Sequence, residues 1–279
     1  MKVVKLESAG RFAEGILEKN IVHLVGGWLE GSARDTIFSL PRYSSAELQQ
    51  LLTNSTERVP LAAVKLAVPF DSRRKIIGVG LNYPDHATET KNEAPANPML
   101  FTRSLDSLAA HEEPILRPRV STHFDFEGEI AVVIGREGRH VSMDDAPSYV
   151  FGYCCFMDGS VRDYQKHTLT TGKNFWRSGS MGPWIVTQDE VANADLKLET
   201  RLNGETVQSA HLHELIFSVA RLIEYCSRWT VLQPGDVIAT GTPAGVGSRR
   251  TPPLWMKPGD VLEVEVEKLG CLRNPVVAE

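Results

Sequence analysis

The sequence predicts an α+β fold that is mainly β, and three observations carry the prediction. Short apolar runs at Ile76 to Gly80, Glu129 to Ile134, Leu196 to Leu202, Asp236 to Thr240 and Val261 to Val266 are bounded by glycine, proline or asparagine, as strands are. The clearest helical period is Leu215 to Cys226, where Leu215, Val219, Leu222, Ile223 and Cys226 share a face. Strands and helices do not alternate regularly, which disfavours a doubly wound parallel sheet. A chain of 279 residues can bury a core without disulfides. Its 42% apolar and 23% charged residues rule out wholesale disorder. With 30 basic against 35 acidic residues, net −5, it lacks the basic excess of a nucleic-acid binder.

From the N-terminus, Met1 to Glu7 mixes charges into the first residues, so no signal peptide is expected. No apolar stretch approaches the ~20 residues of a membrane span. Cys154, Cys155, Cys226 and Cys271 show no C-x-x-C spacing and read as reduced thiols of a cytoplasmic protein. Ile21 to Val25 alternates and meets Gly26-Gly27, a strand and its turn. Ser44 to Leu52 reads as a capped helix. Val68 to Ser72 breaks the pattern, so a small N-terminal α+β domain is placed at 1–70 and a catalytic domain at 71–279. Further on, Asn203-Gly204 favours a tight hairpin turn. Pro-Gly-Asp-Val occurs at Pro234 to Val237 and at Pro258 to Val261, two similar turns leading into strands.

Chemistry concentrates in four places. In a strand, Glu127 and Glu129 point to one face, with Gly128 leaving the opposite face open. Paired carboxylates repel, and a cation offsets this; taken alone, such a pair is more often a solvated strand face. Asp158 would complete an all-oxygen set suited to Mg²⁺, Mn²⁺ or Ca²⁺ and poorly suited to Zn²⁺. Arg162 could fork onto a substrate carboxylate or pair with Asp163. On a helical turn, Glu89 would meet His86 and raise its basicity; a surface histidine is the plain alternative. Gly78-Val79-Gly80 lacks the rest of a dinucleotide fingerprint, and the glycine-rich stretch Gly241 to Gly247 lacks the Gly-Lys-Ser/Thr ending of a phosphate loop. The latter reads as a loop of backbone donors.

Taken in order, these segments resemble the fumarylacetoacetate hydrolase superfamily, over Lys75 to Val277. The resemblance rests on Gly80-Leu81-Asn82-Tyr83 with His86, Phe126-Glu127-Gly128-Glu129, Asp158 with Arg162 and Gln165, Gly172-Lys173-Asn174-Phe175, and Gly182 to Thr187. It continues through Asn203-Gly204-Glu205, Pro234 to Ile238, Gly241 to Gly247 and Leu272-Arg273-Asn274. It implies a mixed-β roll, and Mg²⁺ or Mn²⁺ on Glu127, Glu129 and Asp158. It also implies a His86–Glu89 dyad on a mobile lid, and a pocket lined by Arg162, Gln165, Lys173, Thr242 and Tyr83; the polarity and prolines Pro84, Pro95 and Pro98 place that lid around Asn82 to Asn97. Dimers are common in that superfamily, so a homodimer is expected. Met157 and Trp176 depart from its pattern and are expected to alter the pocket wall.

The implied reaction is hydrolysis of a C–C bond in an acylpyruvate-type 2-oxo acid, fumarylacetoacetate- or fumarylpyruvate-like, in aromatic catabolism. In it Lys173 would steady oxyanion charge. The alternative keeps the site and changes the bond: decarboxylation, isomerisation or hydration of an unsaturated 2-oxo dicarboxylate, or action on oxaloacetate. A non-catalytic metal-binding scaffold is the reading from another class.

Overall fold

The structure, a computed structural model, describes residues 1–31, 36–91, 93–192 and 194–279. A 12-stranded mixed sheet runs in the order Arg58–Pro60, Ile21–Glu30, Arg11–Glu18, Lys2–Ser8, Gly179–Thr187, Val150–Met157, Gly128–Ile134, Val237–Ala239, Ile76–Gly80 and Met99–Arg103. Two short strands, Lys65–Ala67 and Leu108–Ala109, pair off this path. A second sheet of five strands follows the order Glu205–His211, Lys197–Leu202, Val261–Val266, Gly270–Ala278 and Ile115–Arg117. Phe124–Asp125 and Ser160–Val161 form a separate two-stranded ribbon. This is a mixed-β roll, the fold class expected. Among the described residues, no helix is long and apolar enough to cross a membrane.

The strand Gly128–Ile134 is buried at every position because both of its faces meet apolar layers. Ile130 packs with Leu198, Val264 and Leu272 of the smaller sheet. Ala131 and Val133 join Ile16, Leu48, Phe156 and Ile185 in another cluster. Residues 1–70 therefore share their core with the rest. The ladder pairs Lys2 with Val186 and Val3 with Ile185, so the N-terminal strands continue the main sheet across position 70.

Local chemistry explains the elements. Ser44 and Glu47 close a reciprocal capping box on the helix Ser45–Asn54. Asn203 and Gly204 take φ of 54° and 84°, the left-handed pair of a type I′ hairpin between Lys197–Leu202 and Glu205–His211. In each Pro-Gly-Asp-Val, the aspartate folds back on its own turn. Asp236 accepts the Gln233 N–H and Asp260 the Lys257 N–H, both at 2.8 Å. The expected helix at Leu215 starts later, at Val219, and ends at Trp229. The amides of Ile216 and Phe217 are already committed to the Asn82 backbone and side-chain oxygens, at 2.8 and 2.7 Å, so the Ser218 hydroxyl becomes the cap.

Candidate active site

Strand register builds the acidic centre. Gly128 pairs with Met157, and the Asp158 N–H donates to the Glu127 carbonyl at 2.8 Å, so Asp158 arrives beside Glu127. Glu129 follows two positions later on the same face. Glu127, Glu129 and Asp158 are all buried and offer ligand atoms within 4.8 Å of one another. The face behind Gly128, expected to be open, is filled. A Cβ there would lie 1.9 Å from the Thr200 Oγ1, and the Gly128 N–H donates to Gln208 at 2.9 Å. Glycine is needed because the smaller sheet approaches so closely.

Three cations surround the carboxylates, Lys173 and Arg103 buried and Arg162 partly so. Lys173 Nζ donates to Glu127 Oε2 at 2.6 Å and also to Asp158 Oδ2. Arg162 pairs with Asp125 and with Glu127, both at 2.7 Å, and donates to Gln165 at 3.0 Å. Its partner is thus Asp125 and not its neighbour Asp163, which accepts from Ser121. Arg103 Nη1 donates to Asp158 Oδ1 at 2.6 Å and to the Gly159 carbonyl, while its Nε and Nη2 hold Ser107 and Ser178.

The charges do not cancel. Burial acts to raise Glu127, but Lys173 and Arg162 outweigh it and hold the carboxyl down at about 2. Glu129 moves the other way: burial, then the Asp158 and Glu127 charges, push it well above the usual carboxylate range. Among the described residues its hydrogen-bond donor is the Gly241 N–H, at 3.0 Å. A buried, underpaid negative charge within a set of carboxylate oxygens fits a hard divalent cation. Glu127, Glu129 and Asp158 are the residues that could hold it.

His86 and Glu89 meet on one helical turn. His86 is buried on the short helix Pro84–Glu89, with Nδ1 3.3 Å from Glu89 Oε2. The other oxygen, Oε1, accepts the Gly245 N–H at 3.0 Å. The loop from Gly241 does consist of backbone donors, and they serve the chain's own carboxylates. Gly241 binds Glu129, Gly245 binds Glu89, and Gly247 and Ser248 bind Asp125 at 2.7 and 3.0 Å. Thr242 donates to the Gly128 carbonyl and accepts from Gln208. Burial, with the charge of Glu129 added, pushes the Tyr83 phenol up.

The segment expected to be a lid begins anchored. Asn82 is fully buried and bonds Phe217 and Thr240 backbone groups. Asn92, within that segment, lies outside the described residues. Met157, expected in the pocket wall, is instead fully buried in the core with Phe124, Phe126 and Val161, because strand alternation turns it away from its neighbour Asp158. Trp176 is half exposed. Sequence reasoning missed Arg103, Asp125 and Gln208. Asp125 had a signal, lying two positions before Glu127 in a strand-like run; Arg103 and Gln208 sit in unremarkable strands far along the chain from their partners.

Residues 75–277 match the family model described as Fumarylacetoacetate (FAA) hydrolase C-terminal. The chain belongs to the fumarylacetoacetate hydrolase family. A 2,4-didehydro-3-deoxy-L-rhamnonate hydrolase of Sphingomonas sp. (strain SKA58) is 36% identical over 283 residues, covering 99% of this chain and 96% of the relative. The mitochondrial oxaloacetate tautomerase Fahd2a of Rattus norvegicus is 39% identical over 223 residues, 78% of this chain and 71% of its own. The solved fumarylacetoacetate hydrolase of psychrophilic Exiguobacterium antarcticum has a TM-score of 0.83 at 33% identity, with 100% of each chain covered. This family member therefore shares its scaffold with hydrolases and a tautomerase, all enzymes.

Proposed function

We propose that this chain is a divalent-metal-dependent hydrolase that cleaves the C–C bond between the carbonyls of an acylpyruvate-type 2-oxo acid. The observation that carries it is the His86–Glu89 dyad, fixed by the Gly245 amide beside the carboxylate trio. A base poised next to an electron sink is what water addition followed by enolate departure requires. The relative matched along nearly its whole length is named a hydrolase of a 2,4-didehydro-3-deoxy sugar acid. That name describes carbonyls two positions apart, the pattern this cleavage needs.

Glu127, Glu129 and Asp158 would hold Mg²⁺ or Mn²⁺, which when bound supplies Lewis-acid stabilisation of negative charge on the 2-oxo acid. With Nδ1 committed to Glu89, His86 has Nε2 for proton transfer and takes a proton from the attacking water. Water's oxygen bonds to the distal carbonyl carbon, and the C–C electron pair leaves toward the 2-oxo acid fragment, which is then protonated. Lys173, buried between Glu127 and Asp158, adds fixed positive charge where the oxyanion develops. Arg162 keeps Glu127 and Gln165 in place from the side of Asp125.

The relatives named oxaloacetate tautomerase favour a second reading, in which His86 removes and returns a carbon-bound proton without consuming water. Turnover separates the two. Metal-stripped protein given Mg²⁺ is assayed on acetylpyruvate, fumarylpyruvate and oxaloacetate, following enol absorbance, acid products and CO₂. Carboxylic acid release from the acylpyruvates supports hydrolysis; loss of the enol signal with no cleavage product supports tautomerisation. Full activity without any metal would sink both.

A further inference from the structure

Beyond the acidic trio, a second group of three metal-ligating side chains within 4.8 Å of one another occurs among the described residues: Asp195, His211 and His213. Backbone structure gathers them. The hairpin ladder pairs Lys197 with His211, and the Leu212 N–H donates to the Leu196 carbonyl at 2.9 Å. Asp195 immediately precedes Leu196, and the two histidines flank Leu212, so one main-chain bond centres all three. The Asp195 carboxylate spans the histidines, with one oxygen 2.7 Å from His211 Nδ1 and the other 2.8 Å from His213 Nδ1. The imidazole centroids lie 5.3 Å apart with planes inclined at 40°. Glu214 accepts the His211 N–H at 2.6 Å, which holds the turn Leu212–Glu214 against the end of the strand. The nearest ammonium in the ladder, that of Lys197, is engaged by Glu199 at 2.7 Å. All three side chains keep between 37% and 67% of their exposure, so an ion reaches them from solvent.

We propose that Asp195, His211 and His213 form a second metal site, one that takes a transition ion such as Zn²⁺, Ni²⁺ or Cu²⁺ in preference to Mg²⁺ or Mn²⁺. Two imidazole nitrogens and one carboxylate oxygen are the donors that borderline ions favour, whereas hard ions favour oxygen alone. The chain thus sorts ions by donor chemistry: hard ions to the buried carboxylates, borderline ions to the hairpin end. Three protein ligands leave a position for water. Binding requires neutral imidazoles, so it strengthens above neutral pH and releases protons. The proposal is independent of the reaction catalysed at the acidic trio.

The test uses the full chain, stripped of metal and then held in excess Mg²⁺ so that the acidic trio is filled. Calorimetric titration with Zn²⁺ at about pH 8 should show one ion bound per chain. His211→Ala and His213→Ala should each remove that uptake while Mg²⁺-supported turnover stays at the wild-type level. Absence of uptake in the wild type, or uptake persisting in the doubly substituted protein, overturns the proposal. A check that needs no variant is electron paramagnetic resonance of Cu²⁺ bound to the wild type in Mg²⁺. Hyperfine coupling to two nitrogens is expected, and an all-oxygen spectrum would overturn the assignment.

Discussion

The proposed mechanism gives His86 and Glu127 separable tasks, and single substitutions should separate them. His86→Ala keeps all three carboxylates proposed to bind the metal, so Mg²⁺ affinity should hold while kcat for hydrolysis falls roughly 10²–10⁴-fold. Glu127→Gln removes a charge that Lys173 and Arg162 both contact, so ion binding and turnover should fall together. Calorimetry beside steady-state kinetics reads both. Loss of the ion in His86→Ala would refute the dyad assignment. Arg103→Met leaves one side of fully buried Asp158 without its cation, and should cost about 3–5 kcal/mol in denaturant unfolding. At this scale Glu127 and Glu129 were legible because they flank a glycine in one short strand-like run, and Asp158 because it ends an apolar strand just before Gly159. Arg103 was not, because its partner lies across the fold and an arginine in a strand carries no mark of burial.

The loop from Gly241 to Ser248 is the element that joins the site, since its amides reach acidic residues from three separate segments. Gly245 has φ +103°, and a Cβ there would stand 2.2 Å from the Val207 carbonyl oxygen. Gly245→Ala should therefore cost about 1–3 kcal/mol in local strain and loosen the amide that steadies Glu89. Thermal unfolding should show a lower Tm, and kcat should drop more than KM rises. Hairpin and cap were legible in the sequence because Asn-Gly and Ser-x-x-Glu act on their own neighbours. The start of the Val219–Trp229 helix was not, because Asn82, far earlier in the chain, claims the amides that would have extended it.

Across the whole molecule, the mixed-β roll was legible from strand-sized runs and sparse helices, but strand order was not. Pairing of Lys2 with Val186 depends on contacts no local pattern records, which is why proline and polar punctuation near residue 70 suggested a boundary while the sheet runs past it. A chain of residues 71–279 alone would bare the Gly179–Thr187 edge and the core around Phe156 and Ile185. It should be recovered mainly as aggregate, with any soluble fraction showing lower Tm than the full chain; a soluble 71–279 of unchanged Tm would show that the N-terminal strands add nothing to the fold. The same order has a consequence during synthesis. The hairpin-connected strands Lys2–Ser8, Arg11–Glu18 and Ile21–Glu30 can pair as they leave the ribosome, and Lys65–Ala67 covers Lys5 to Glu7 soon after, yet the partners of Lys2 and Val3 emerge about 180 residues later, a wait of roughly 10–35 s at ordinary elongation rates. For that interval the nascent chain carries an unpaired strand end, an aggregation-prone surface, and slower translation lengthens the exposure.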